Sequence, residues 1–211
     1  MARPVEIATY VLASRIALAG GYIGAELLLG GEAPQARPAA ERGDKPAATA
    51  VIPAEGVEHR NSRYGFSFRH PEDWRSTEVP QPHVAATVAR ADGALCMVTV
   101  NEARLPVDPN RDPETLSRML AGITPSHLTQ AIPAADAKVS SLQKSALGGQ
   151  EARSFVVEAT VPPLGALKIN AHATLRSFGA IVLMCMAPER IVGDSDVKSA
   201  FALVETSFRF D

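Results

Sequence analysis

Tyr64-Gly65-Phe66-Ser67-Phe68-Arg69-His70-Pro71-Glu72-Asp73-Trp74 marks where the folded part of this chain begins. Phe66 and Phe68 alternate with Ser67 and Arg69, a period of two that predicts a strand with one buried face. His70–Asp73 predicts a turn, because Pro presets its own φ and Asp and Glu tolerate the corner. Trp74 is expected to open a second short strand reaching Val79. Pro80 and Pro82 end it, since neither can donate to a ladder. The indole of Trp74 is expected to lid this first hairpin; the competing reading is an exposed aromatic anchor for a partner.

Upstream, the chain is mostly apolar from Ile7 to Gly30, interrupted by Arg15 and Glu26. A membrane-spanning helix needs about 20 apolar residues. The uninterrupted core Ile16–Ala25 has the length of a signal-peptide h-region, with Arg3 and Arg15 on its N-terminal side. Residues 1–31 are therefore expected to be a signal peptide or a membrane anchor. The alternatives are an amphipathic helix packed on the domain or on a partner, and a misassigned start. Residues 32–56, with Pro34, Pro38, Pro46 and Pro53 among Ala and charged residues, read as a disordered linker. Such a segment buries too little apolar surface to offset its ordering entropy.

Downstream, His83–Arg90 and Leu95–Ala103 flank Ala91-Asp92-Gly93, a hairpin signal. Leu95–Val100 is apolar on both faces, as expected of a central strand covered on both sides. Asp112-Pro113-Glu114 predicts a helix start, with Leu116, Met119, Leu120 and Ile123 as its apolar stripe. Pro125 breaks this helix, and Ser126–Ile132 reads as a second short one. Strands follow over Val139–Ala146, Glu151–Val161 and Leu167–Leu175. The wholly apolar Ala180–Met186 predicts a second central strand. Asp194 or Ser195 caps a last helix, burying Val197, Ala200, Phe201, Val204 and Phe208. Tight turns between strands imply a largely antiparallel sheet, and two amphipathic helices can cover it. The expected class is α+β: one antiparallel sheet in an α/β/α sandwich over residues 57–211.

Gly65-Phe66-Ser67-Phe68 followed by Pro71 and Trp74 resembles the opening of the PsbP-like fold family. That family spans the photosystem II extrinsic protein, a Ran-binding nuclear import factor and DcrB-type bacterial envelope lipoproteins. The order of elements is similar too, through the final helix with Phe201 and the Ser207-Phe208 ending. The resemblance covers Val57–Asp211 and implies an α/β/α domain that works by binding other proteins. No Cys follows the apolar leader to take a lipid, and no cofactor motif links the chain to photosystem II.

The formal net charge is −2, with Arg scattered among acidic neighbours. A nucleic-acid binder would show a basic stripe with interleaved aromatics, so that class is set aside. Abundant Ala and an excess of Arg over Lys suit a GC-rich bacterial genome. There is no GxSxG, HExxH or phosphate-cradling loop.

Cys96 and Cys185, both in expected central strands, are the only cysteines. They read either as a disulfide of an exported chain or as two buried thiols. Lys168, Asn170, His172, Thr174 and Arg176 form a cationic stripe on one strand face. It reads as a docking surface for an acidic partner or head group, or as the wet face of an antiparallel strand. No two of His59, His70, His83, His127 and His172 have the spacing of a metal helix motif. His59 beside Glu58, or His172 on the stripe, are the metal candidates against ordinary surface histidines.

The functional expectation is a non-catalytic protein-binding or assembly module of the bacterial cell envelope. It would be periplasmic or secreted, or anchored to the inner membrane through Ile7–Gly30, with an unidentified protein partner, no nucleic acid and no cofactor. The alternative is a small-molecule or lipid carrier, with a pocket between sheet and helix lined by Met97, Met119, Met184 and Met186. An enzyme using Cys or His is the third class.

Overall fold

The computed structural model describes residues 56–77, 83–103, 112–125, 136–140, 142–161 and 165–211. The expected leader, most of the linker, the strand end at Val79 and the helix over Ser126–Ile132 lie outside the described residues. Among the described residues eleven strands fall into two sheets. The small one pairs β1 (Val57–Asn61) with β2 (Phe66–His70) and β2 with β11 (Arg209–Phe210). The large one runs from β3 (Arg75–Ser76) and β4 (Val84–Ala89) through β5 (Leu95–Glu102), β10 (Gly179–Pro188) and β9 (Gly165–Arg176). It ends at β8 (Gln150–Val161), which carries both β6 (Lys138–Val139) and β7 (Gln143–Leu147) on its outer edge. Every strand pairing among the described residues is antiparallel.

β5 and β10 lie side by side at the centre, and every residue of β10 is buried. Their uninterrupted apolar runs are what a strand covered on both faces needs. One face packs Met97, Met184, Ile169 and Phe155 under α1 (Pro113–Ala121), with Leu116, Leu120 and Ile123 pointing inward. Asp112 starts α1 by accepting the Thr115 amide at 3.0 Å, and Pro113 takes the position whose amide would be unpaired in any case. The other face packs Val98, Leu183 and Ile181 under α3 (Ser195–Ser207), through Val197, Ala200, Phe201 and Val204. A four-residue helix, α2 (Glu189–Val192), links β10 to α3. Asp194 stands at the α3 N-cap but makes no side-chain capping bond.

Four expectations change. The sheet is not single: β2 leaves the path of the large sheet and pairs along its two edges with β1 and β11, and Ser67, expected on its open face, is buried. The Pro71–Trp74 turn, closed by the Trp74 amide on the Pro71 carbonyl at 3.1 Å, redirects the chain into the large sheet instead of folding a hairpin back on β2. Phe208 lies past the end of α3 in extended backbone, stacked on Phe66 at 5.4 Å and Phe68 at 6.2 Å. The strand expected over Val139–Ala146 is split into β6 and β7. The covering of one face is thus a helix plus a small sheet, so the sandwich has a helix on each face of a mostly antiparallel sheet and an extra β layer on one of them.

The two sheets are also joined by polar contacts. The Tyr64 hydroxyl donates to Glu102 at 2.6 Å, and Arg63 pairs with the same carboxylate at 2.7 Å. The Tyr64 hydrogen bond in particular holds the Glu102 carboxyl below the usual carboxylate range.

Candidate docking surface

β9 alternates along its length. Leu167, Ile169, Ala171, Ala173 and Leu175 are buried toward α1, so Lys168, Asn170, His172, Thr174 and Arg176 must face the α3 side. Alternation sets the side but not the cover, and the five residues meet different surroundings. Thr174 is buried and donates to the Glu151 carbonyl at 2.7 Å. The Arg176 guanidinium lies over the Phe210 ring, 4.6 Å from its centre. Lys168 is exposed and stands 4.0 Å from Glu158 on the neighbouring strand. Asn170 and His172 are half-buried and line a cleft of about 230 Å³.

The edge strands build this cleft. At Ser140 the backbone amide donates to the Val156 carbonyl at 2.9 Å, and the Val156 amide donates to the Ser140 hydroxyl at 2.8 Å. A side chain thus takes over a ladder position, which ends β6 and lets the chain step across to β7. Ser140 and Gln143 border the resulting gap, Ser154 and Val156 of β8 contribute to its lining, and Glu205 of α3 closes one wall.

His172 sits between two groups there. Its Nδ1 is 3.4 Å from the Ser145 hydroxyl, and its Nε2 is 3.8 Å from a Glu205 carboxylate oxygen. Hydroxyl, imidazole and carboxylate in that order are the parts of a nucleophilic triad. Both separations exceed the roughly 2.6–3.2 Å over which a base and nucleophile exchange a proton. The arrangement is a loose polar network on a sheet face. Among the described residues no three His, Cys, Asp or Glu side chains gather to hold a metal ion. His59 instead stacks on Phe68 at 5.0 Å.

The remaining candidates lie in the interior. Cys96 and Cys185 face each other across β5 and β10 and are joined by a disulfide, S–S 2.05 Å, with neither residue exposed. The bridge belongs to the α3-side core and is remote in kind from the polar cleft. Met97, Met184 and Met186 are buried in the α1-side core, with Met119 half-buried against them. Trp74 is buried and meets Phe201 edge to face at 6.1 Å. Glu205, Ser145 and Ser154 were not visible in the sequence as companions of His172. They come from one helix and two other strands, and no local period links them.

The solution structure of the cyanobacterial PsbP protein, CyanoP, from Synechocystis sp. PCC 6803 aligns with 79% of this chain and 98% of its own, with a TM-score of 0.50. The fold is PsbP-like. At 17% identity the likeness concerns the PsbP-like backbone and not the residues of the cleft. LpqN of Mycobacterium tuberculosis, a protein involved in cell envelope biogenesis, aligns with 73% of this chain and 84% of its own, at 12% identity and a TM-score of 0.46. No protein-family model matches the sequence, and no curated protein does.

Proposed function

We propose that this PsbP-like domain is a non-catalytic binding or assembly module of the bacterial cell envelope, and that it engages a protein partner across the β8–β9 face beside α3. The observation that carries this reading is the cleft at His172. Its volume, about 230 Å³, lies below the roughly 300–1,000 Å³ of small-molecule sites. Two positions further along β8 and β9 stands the exposed pair Lys168 and Glu158, a surface suited to side chains of another protein. The buried Cys96–Cys185 bridge supports a setting outside the cytoplasm, where disulfides persist. The apolar stretch Ile7–Gly30 supports export or anchoring at the inner membrane.

A photo-crosslinking residue placed at Gln143 in the native host tests the surface. The expected result is one discrete protein adduct, lost when Asn170→Asp and His172→Glu are added and absent when the crosslinker is moved to Arg118 on α1. Equal labelling from both positions, or no adduct at Gln143, would overturn it.

One observation favours the carrier as a second reading. Among the described residues the hydroxyls of Thr87 and Thr99 are buried without a hydrogen-bond partner. Thr87 is paired across the strands with Met97, and Thr99 lies two residues beyond Met97 on the same face. A carried molecule with one polar group would satisfy hydroxyls that are costly to leave unpaired. Native mass spectrometry without detergent should then show a co-purified ligand; a single unliganded mass would end this reading.

A further inference from the structure

β7 pairs with β8 along one side only, from the Leu147–Gln150 pair to the Gln143–Ser154 pair. The loop Gly148-Gly149, with φ of +58° and +82°, closes a tight hairpin, which makes Leu147 and Gln150 a hydrogen-bonded pair. Bonded and non-bonded pairs alternate in an antiparallel ladder, so Ser145 and Gln143 also turn their backbone groups toward β8. Lys144 and Ala146 therefore turn their amides and carbonyls outward. Both residues are exposed, and among the described residues no hydrogen bond reaches those groups. The other edges differ. β3, at the opposite end of the large sheet, is only two residues long. In β1 the Asn61 side-chain amide donates to the Ala85 carbonyl at 2.8 Å, and Arg60 is already paired with Glu58.

Charge narrows what this edge can accept. The cross-strand neighbour of Lys144 is Arg153, a second cation on the same face. Arg153 is buried, donates to the Leu120 carbonyl and has Glu151 at 3.7 Å. Lys144 makes no ion pair among the described residues, so it is the unanswered cation of the two. The cleft at His172 begins one residue away. Gln143 borders that cleft and shares the α3 face with Ser145.

We propose that the partner adds an extended strand to the outer edge of β7, bonded to the backbone of Lys144 and Ala146, with an acidic side chain opposite Lys144. This rests on the reading that a protein docks at the His172 cleft, and it names the kind of segment that does so. Strand addition takes its affinity from main-chain hydrogen bonds and its specificity from alternate side chains. Here one face of the added strand meets Lys144 on the α1 side. Its other face looks across Gln143 into the cleft.

Proline substitution in the full-length chain tests this. At Ala146 the amide removed is an outward one, a loss that an edge strand tolerates. With the photo-crosslinker at Gln143 in the native host, Ala146→Pro should lower the partner adduct about tenfold, while Ala146→Val keeps it within about twofold. Lys144→Glu should lower it about fivefold, by setting acid against acid. Slow hydrogen exchange of the β8 and β9 amides checks that each variant is folded; if Ala146→Pro loses it, Lys144→Glu decides alone. An adduct that survives Ala146→Pro in a folded domain, or that Lys144→Glu leaves undiminished, would overturn the added strand and leave the docking surface standing. No adduct from Gln143 in the wild-type chain would overturn both. An adduct made of a second copy of this chain would overturn the partner strand by assigning the edge to self-association.

Discussion

The two faces of the large sheet are sealed by different means. Among the described residues the α1 side is closed by one helix over aliphatic side chains and methionines, with Phe155 as its single aromatic ring. The α3 side carries the disulfide, the stacked rings of Phe66, Phe68 and Phe208, the edge-to-face pair of Trp74 and Phe201, and a second small sheet. Rings and a covalent bridge constrain geometry as well as exclude water. The polar cleft at His172 has a wall from α3. A binding surface needs neighbours that hold it still, and the more constrained side provides them.

This contrast predicts unequal costs of substitution. The largest expected effect is that of Cys96→Ala with Cys185→Ala. Opening a loop of 89 residues should lower stability by about 4.6 kcal/mol on the chain-entropy model, read from denaturant midpoints. Phe208→Ala comes next, at about 3 kcal/mol, since it removes a fully buried ring from three aromatic contacts. On the other face Met97→Leu should cost less than about 1.5 kcal/mol, because a volume-conserving change suits an aliphatic core. The like-for-like test is Phe208→Leu, which should cost more than Met97→Leu; equal losses for those two would erase the distinction between the faces.

The smallest effect sharpens the comparison at the rim of the α3 side. Burial, with a contribution from nearby His70, lowers the His59 pKa below its ordinary value of 6.5. The unfolded chain then takes up a proton that the folded chain refuses. The associated stability is fully present above pH 6.5 and is lost as the pH falls through the lowered value in the folded state. His59→Gln should flatten this part of the stability profile between neutral and mildly acid pH. A profile unchanged by the substitution would show that β1 contributes nothing there.

Sequence alone determined the elements whose cause is local. Asp112-Pro113 starts α1 because the cap and the missing amide act within one turn. Leu95–Val100 in β5 and Ala180–Met186 in β10 read as central because every side chain along them is apolar or small, and β9 read as two-faced because its alternation is strict. The PsbP-like fold was legible from the aromatic opening at Phe66 and the order of elements after it. Tertiary structure decided what lies across from each face. β1, Val57-Glu58-His59-Arg60-Asn61, has one large aliphatic residue and no readable period, and it becomes a strand because β2 offers it a partner. β11 is two residues that follow α3 and Phe208, too short to read as a strand, and it is one because β2 pairs with it through space. The stripe from Lys168 to Arg176 was uniform as a pattern. It was divided into covered and open parts by Glu151, Phe210, Ser145 and Glu205, which reach it through space. Periodicity reports which way a side chain points; whether water or protein waits there depends on contacts that no local window contains.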